Sequence, residues 1–369
     1  MSETRKQLSE KDVIERLRSP AFTFPPFRFE VINTQPDQVD RVKWDLLIGA
    51  SWNGWQARFA AECRALSTPK AFQDAVRRIR DVPPPAGFLP LVILPFLRES
   101  QLAELEQQGI SGIDLCGNGV VIVPGQFAVF RTGAKNQFPT YAPIKNVYRK
   151  NTSMVARALL ATPYFESVQD VRDTVNTRDV LACRWTKTPI RLGTVSKALK
   201  ALEEDLIVER KRGIRLLQAE KLLDKLQQNY EAPRTLDRVR LKVETNNVNL
   251  TEVLGAQAER TGLPVVATGL CSVSRYATMQ REEMLSVYCP RRAPLLEQLP
   301  SRETERFPNL ELIETDAQPL YFDSQEDEGF LWASPLQTYL ELMAGDKRDR
   351  ETAEQVRAYL LDRLEGSNQ

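Results

Sequence analysis

The pattern of apolar and polar residues divides the chain into three segments. The first and third mix helix-like and strand-like periods, and the middle one has mainly the helical period. Residues 1–140 begin with a predicted helix, "KQLSEKDVIERLRS", followed by strand-like runs at "FRFEVIN", "VKWDLLIGA" and "QARFAAECRAL". An amphipathic helix, "PKAFQDAVRRIRDV", the buried-type strand "FLPLVILPFL" and a Gly-Asn-Gly hairpin at "DLCGNGVVIV" come next. This alternation of helices and strands predicts an α/β domain for residues 1–140.

Residues 141–231 have a helical period almost throughout. Within "RLGTVSKALKALEEDLIVERKRGIRLL", four apolar side chains fall at helical spacing on one core-facing stripe, namely Val195, Leu199, Leu202 and Leu206. The following "LIVERKRGIRLL" predicts a two-stranded hairpin with its basic residues at the tip. A helix with an open basic face, followed by a basic hairpin, is what a winged helix-turn-helix requires.

Residues 232–369 mix apolar segments with a final helix, "DRETAEQVRAYLLDRLEG", and predict an α+β domain. The length of 369 residues agrees with such a division, since ordinary domains contain roughly 100–200 residues. We therefore predict a multidomain α/β and α+β protein. Its domains are expected at 1–140, 141–231 and 232–369.

Composition limits the compartment and the chemistry. No apolar run approaches the roughly 20 residues of a membrane helix, and "MSETRKQLSEKDV" lacks the core of a signal peptide, so we expect a cytoplasmic protein without a membrane partner. The five cysteines are scattered and form no CxxC pair, which argues against a zinc ribbon. Histidine is absent, so any catalysis would depend most naturally on carboxylates and Mg²⁺.

Charge is distributed unevenly although the net charge is only +1. From Arg131 to Leu217 there are 17 Lys or Arg against 8 Asp or Glu, whereas from Ser301 to the end there are 7 against 16. A basic middle segment indicates an anion-binding surface. The acidic stretch "YFDSQEDEGF" is most simply a solvated loop, and a contact with the basic segment is the sharper alternative.

The predicted helix and hairpin give a set of candidate DNA contacts. The helix would enter the major groove, and the hairpin would bring positive charge to the flanking phosphates. The candidate residues are Arg191, Thr194, Ser196, Lys197, Lys200, Arg210, Lys211, Arg212 and Arg215. An ordinary amphipathic helix with solvated lysines is the alternative, and the hairpin and the local charge favour DNA binding over it.

A second candidate site lies in the first domain. On a strand, Glu62 and Arg64 point to the same face, and a neighbouring antiparallel strand ending near Asp45 would bring a second carboxylate beside Glu62. Asp45 and Glu62 would then be the metal ligands for Mg²⁺, and Asp45, Glu62 and Arg64 the catalytic residues. Three interpretations remain open, which are a working nuclease centre, a degenerate one, and a structural ion pair.

The chain resembles the AbiEi-type family of antitoxins and regulators associated with phage abortive infection. The resemblance depends on "GISGIDLCGN", "GTVSKALKALEEDLIVER", "TGLCSVSRYA" and "SPLQTYLELMAG", and spans roughly residues 85–345. The first domain also resembles the PD-(D/E)XK restriction-endonuclease-like superfamily. It departs from that pattern at Arg64, where the superfamily has Lys, because Arg is planar and permanently charged.

These resemblances imply a DNA-binding regulator or a phage-defence protein of toxin-antitoxin type. Its expected partners are double-stranded DNA and a toxin or other defence protein, and the oligomeric state is left open. The alternatives are a Mg²⁺-dependent DNA endonuclease targeted by the winged helix, and an interaction scaffold that uses the acidic C-terminal domain.

Overall fold

The computed structural model describes residues 8–33, 44–138, 146–184, 189–244, 248–278, 284–297 and 299–366. It divides into two compact units, Met1–Ala142 and Pro143–Gln369. Both units are mixed α/β structures with large sheets, which confirms the predicted class at that level. Among the described residues, no helix combines the length and the apolar character needed to cross a membrane.

The first unit is built on one sheet whose strands follow chain order. Its helices are α1 (Glu10–Arg18), α2 (Pro69–Asp81) and α3 (Glu99–Gln107). Its strands are β1 (Arg28–Asn33), β2 (Leu46–Trp52), β3 (Trp55–Cys63), β4 (Leu89–Leu94), β5 (Ser111–Asp114), β6 (Gly119–Val123) and β7 (Phe127–Arg131). The central strands β3, β4 and β5 are parallel, and the strands on either side of them pair antiparallel.

Helices cover both faces of this sheet. Val13 and Leu17 of α1 belong to one core, together with alternate residues of the central strands such as Phe59. Helices α2 and α3 pack on the opposite face, where Phe72 lies in the same core as Ala60. The period of two along β3 therefore places successive side chains in different cores.

The predicted Gly-Asn-Gly hairpin is present between β5 and β6, and a buried carboxylate organises it. Asp114 Oδ1 accepts hydrogen bonds from the backbone N–H groups of Cys116, Gly117 and Asn118, at 2.8, 2.7 and 2.8 Å. Its Oδ2 accepts from the N–H of Leu97 at 2.9 Å and from Asn118 Nδ2 at 2.8 Å. The hydrogen-bonding capacity of Asp114 is thus used to hold the turn.

The second unit begins with a small bundle and a short sheet. Its helices in this part are α4 (Ser153–Ala161), α5 (Val168–Arg178), α6 (Val180–Arg184), α7 (Leu192–Glu204) and α8 (Ala219–Gln228). Its strands are β8 (Tyr164–Phe165), β9 (Val208–Glu209) and β10 (Ile214–Leu216). The strands pair antiparallel in the order β8-β10-β9, so β9 and β10 form a hairpin directly after α7.

A mixed sheet forms the rest of the second unit. Its strands are β11 (Asp237–Val243), β12 (Val266–Ala267), β13 (Leu285–Cys289), β14 (Ser301–Glu303), β15 (Leu310–Glu314), β16 (Gln325–Asp327) and β17 (Phe330–Trp332), in the order β14-β11-β15-β13-β12-β17-β16. The accompanying helices are α9 (Leu250–Thr261), α10 (Ala293–Leu296), α11 (Gln318–Tyr321), α12 (Pro335–Met343) and α13 (Lys347–Gly366).

The two parts of the second unit share a hydrophobic core. Residues of α4, α5, α7 and α8 pack in one cluster with residues of α12 and α13. The predicted division near residue 231 stays a prediction.

The acidic stretch contains β16 and the start of β17, which pair as a hairpin, so it is not a simple loop. Asp323, which precedes β16, pairs with Arg178 of α5 at 2.7 Å.

Candidate nucleic-acid interface and carboxylate cluster

Asp45 and Glu62 meet at one end of β2 and β3. These strands pair antiparallel with Leu46 opposite Ala61, so the residue before β2 falls opposite Glu62. Asp45 therefore lies where its strand begins and not where it ends. Its Oδ2 accepts a hydrogen bond of 2.8 Å from the backbone N–H of Cys63, which holds the carboxylate beside the end of β3.

Arg64 binds this carboxylate pair directly. Its Nη1 lies 2.6 Å from Glu62 Oε1, 3.9 Å from Asp45 Oδ2 and 4.0 Å from Glu10 Oε1 of α1. Arg78 of α2 approaches Glu62 Oε2 from another direction at 4.0 Å. The two carboxylates predicted as metal ligands thus contact a guanidinium.

The electrostatics of Glu62 follow from its burial. The residue is only 5 % exposed. Burial raises the pKa of its carboxyl group, the negative charge of Asp45 raises it further, and Arg64 opposes both effects. The Cys63 thiol is also buried, and desolvation raises its pKa well above the ordinary value.

The arrangement fits a divalent cation poorly. A metal ion bound by Asp45 and Glu62 would lie against the permanent positive charge of Arg64, which pairs with Glu62 at 2.6 Å and lies 3.9 Å from Asp45. Within the described parts of the chain, no group of three or more acidic, Cys or His side chains is arranged to hold a metal ion. We derive no reaction step through Mg²⁺ at this site.

Helix α7 presents a basic face. Val195, Leu199 and Leu202 are fully buried in the bundle core, as the helical stripe predicts. Leu206, the fourth member of that stripe, lies outside the helix because α7 ends at Glu204, and Leu206 has a left-handed backbone with φ of +58°.

The candidate DNA contacts of α7 lie on its uncovered side. Arg191, Lys197 and Lys200 are exposed, and Thr194 and Ser196 are partly exposed. None of these three basic side chains forms an ion pair with another residue that the structure describes. Their charges are therefore available to an external anion.

The hairpin continues this basic surface. Lys211, Arg212 and Arg215 are exposed, and Arg210 is partly exposed, in or beside the turn between β9 and β10. The turn passes through Gly213, whose φ of +82° is a conformation that side chains rarely adopt.

Two contacts hold the hairpin in place. Arg210 Nη1 lies 3.9 Å from Glu203 Oε2 of α7, which joins the hairpin to the helix. The guanidinium of Arg215 stacks over the ring of Tyr164 in β8, 5.3 Å from its centroid. Lys211 pairs locally with Glu209 at 2.9 Å, and its side chain remains 79 % exposed.

Sequence reasoning did not identify several residues of these sites. Glu10 and Arg78 lie on predicted amphipathic helices, and only the folded sheet brings them to Arg64 and Glu62. Helices α5 and α6 separate Tyr164 from α7 in the chain, so the sequence gives no sign that Tyr164 supports Arg215.

The comparisons with known proteins assign no family to this chain. No family model, no curated protein and no solved structure matches it.

Proposed function

We propose that this protein binds duplex DNA through α7 and the β9–β10 hairpin. The observation that carries the proposal is an exposed basic helix face, without ion pairs to the residues that the structure describes, followed directly by a basic hairpin. The bundle of α4, α5 and α7, with the sheet of β8, β9 and β10 beside it, supports the proposal of a winged helix-turn-helix.

The dimensions of α7 suit the major groove. Its 13 residues extend about 20 Å, and an α-helix fits the width of that groove. Lys197 and Lys200 are three positions apart and therefore share one face of the helix. Arg212 and Lys211 in the hairpin are placed to contact phosphates beside it.

Fluorescence anisotropy with labelled duplex DNA at low salt tests the proposal. The double variant Lys197→Ala/Lys200→Ala should bind at least about tenfold more weakly, since each lysine would neutralise a phosphate or contact a base. The matched control is Lys242→Ala/Lys347→Ala, which removes two exposed lysines outside the bundle and its hairpin.

Salt dependence gives a second measurement. Each phosphate contact contributes about 0.9 to the slope of log K against log salt, so Arg212→Ala should lower that slope by about one. If the wild-type protein binds no duplex at low salt, or if the control weakens binding as much as the α7 variant, the proposal fails.

A DNA endonuclease remains a second candidate because Asp45 lies opposite Glu62 across β2 and β3. Incubation of supercoiled plasmid with Mg²⁺ or Mn²⁺ tests it, with Asp45→Ala and Glu62→Ala as variants. Cleavage that both variants abolish would support the enzyme. We expect intact plasmid because Arg64 occupies the site. Pairing with a toxin or another defence protein stays a prediction of the resemblance.

A further inference from the structure

A cavity of about 480 Å³ lies inside the second unit, between α4, the end of α8, α11 and α12. This volume is within the range of pockets that hold small organic molecules. Its apolar lining includes Leu226, Leu320 and Leu340. The cavity belongs neither to the carboxylate cluster nor to the basic face of α7.

A buried arginine of α4 lines this cavity. Arg157 is 5 % exposed, and its contacts are to uncharged oxygen atoms. Its Nε donates to Ser153 Oγ at 3.4 Å, and its Nη1 donates to Gln337 Oε1 at 3.1 Å and to the Pro319 carbonyl at 3.3 Å. Nη2 donates to no residue that the structure describes.

The charge of Arg157 has no direct counter-ion. No described carboxylate lies within ion-pair distance of it, and its pKa, lowered by burial to about 10, still leaves it protonated at neutral pH. The negative charges of Glu341 and Asp323 act on Arg157 from beyond ion-pair distance and oppose the effect of burial on its pKa. Gln337 lies between Arg157 and Glu341, and its Nε2 donates to Glu341 Oε1 at 2.9 Å. Glu341 is in turn hydrogen-bonded by Tyr288 Oη at 3.2 Å.

A buried cation without a partner anion is costly, because desolvation is not repaid by an ion pair. The rim of the cavity adds further positive charge through Arg149, Lys150 and Arg234, against the carboxylates of Glu231 and Asp316. Arg149 pairs with Glu231 at 2.7 Å. The cavity thus combines an apolar wall, an excess of positive charge and an Arg157 N–H group that has no acceptor among the described residues.

We propose that this cavity binds a small organic anion, whose carboxylate or phosphate group contacts Arg157 and whose body packs against Leu226, Leu320 and Leu340. The anion would give Arg157 the direct ion pair that no described carboxylate provides. The inference does not depend on DNA binding, since it concerns a separate site.

Thermal unfolding of the full chain, at constant ionic strength, tests the site with defined probes. Benzoate and inorganic phosphate represent the two anion classes, and benzamide is the neutral analogue of benzoate. We expect Tm to rise with increasing concentration of at least one anion and to remain unchanged with benzamide, because a ligand that binds only the folded state stabilises it. A larger rise in Tm with benzoate would indicate a carboxylate ligand, and a larger rise with phosphate would indicate a phosphate ligand.

Two variants locate the response. Arg157→Met removes the charge at similar length and should lose the rise in Tm, while Ala232→Trp fills the rim and should reduce it with Arg157 retained. The matched control is Arg172→Met, which removes an arginine of α5 that does not line the cavity. If Arg157→Met does not fold, Ala232→Trp decides the question. The proposal is wrong if neither anion raises Tm, or if the rise persists in the cavity variants.

Discussion

Removal of Arg64 should destabilise the protein in a way that depends on pH. Arg64→Ala deletes the 2.6 Å contact to Glu62 Oε1 and leaves a carboxylate that is 5 % exposed without its nearest counter-ion. Removing one partner of a buried ion pair typically costs 3–5 kcal/mol. We expect about 3 kcal/mol, the low end of that range, because Arg78 stays nearby and Glu62 can take up a proton.

The direction of the pH dependence follows from Glu62. Burial and Asp45 raise its pKa in the folded protein, and Arg64 lowers it, so the variant should have a still higher pKa. A carboxyl group with a raised folded-state pKa binds a proton that the unfolded chain releases, so stability falls as pH rises between the two pKa values. The loss in Arg64→Ala should therefore be small where Glu62 of the folded variant is protonated, and should grow as pH rises through the raised pKa of Glu62.

Urea unfolding at several pH values measures this loss. Arg58→Ala is the matched control, because Arg58 is an exposed arginine of the same strand and should change stability by less than about 0.5 kcal/mol. Adding Glu62→Gln to Arg64→Ala should recover most of the loss, since it removes the unpaired charge. A loss that is independent of pH, or equal to that of Arg58→Ala, would contradict this role of Arg64.

Three further predictions concern backbone, turn and thiols. Gly213→Ala should cost about 2 kcal/mol, because its Cβ would lie 2.7 Å from the Phe165 carbonyl at positive φ, whereas Gly193→Ala meets open space and should be neutral or stabilising in urea unfolding. Asp114→Asn should cost about 3 kcal/mol, since an amide nitrogen would face N–H donors. In the native protein a thiol reagent should label exposed Cys183 and leave buried Cys63, with its raised pKa, unreacted until unfolding.

The helices and strands that are determined by residues adjacent in sequence could be predicted. Helix α2 has Thr68 as its N-cap and Pro69 in its first turn, and both signals precede an apolar stripe. A run of apolar residues predicts β4, and the glycines of Gly-Asn-Gly predict the hairpin of β5 and β6. In these segments local preference and the final fold agree.

The end of α7 could not be predicted because its stop signal is unusual. The N–H of Ile207 donates to the Leu202 carbonyl at 2.9 Å, and the N–H of Leu206 donates to the Glu203 carbonyl at 3.0 Å. This is the Schellman pattern, in which glycine commonly occupies the left-handed position that Leu206 has here. A leucine there continues the helical stripe in sequence and hides the end of the helix.

The ion-pair partners of the charged side chains were the feature of the candidate sites that the sequence predicts least well. Arg64 was expected to share a face with Glu62, but its contacts with Asp45 and Glu10 depend on strand register and on the position of α1. Arg157 lies in "TSMVARALLAT", a segment that predicts a helix with an apolar face. Two of the uncharged oxygen atoms that it contacts belong to α11 and α12, so the sequence of α4 does not show that Arg157 has no ion pair with a described carboxylate. Such features depend on residues far apart in the chain.

The two candidate sites differ in whether their charged groups already have partners, and this difference favours one of the two proposed functions. At the carboxylate cluster Arg64 contacts the acidic groups, so positive and negative charges neutralise each other inside the first unit. On α7, Lys197 and Lys200 are exposed and unpaired among the described residues. A surface that binds a polyanion needs free positive charge, whereas a Mg²⁺ centre needs free carboxylates. Helix α7 offers free positive charge, whereas Asp45 and Glu62 both lie against Arg64, which is why DNA binding is the stronger proposal.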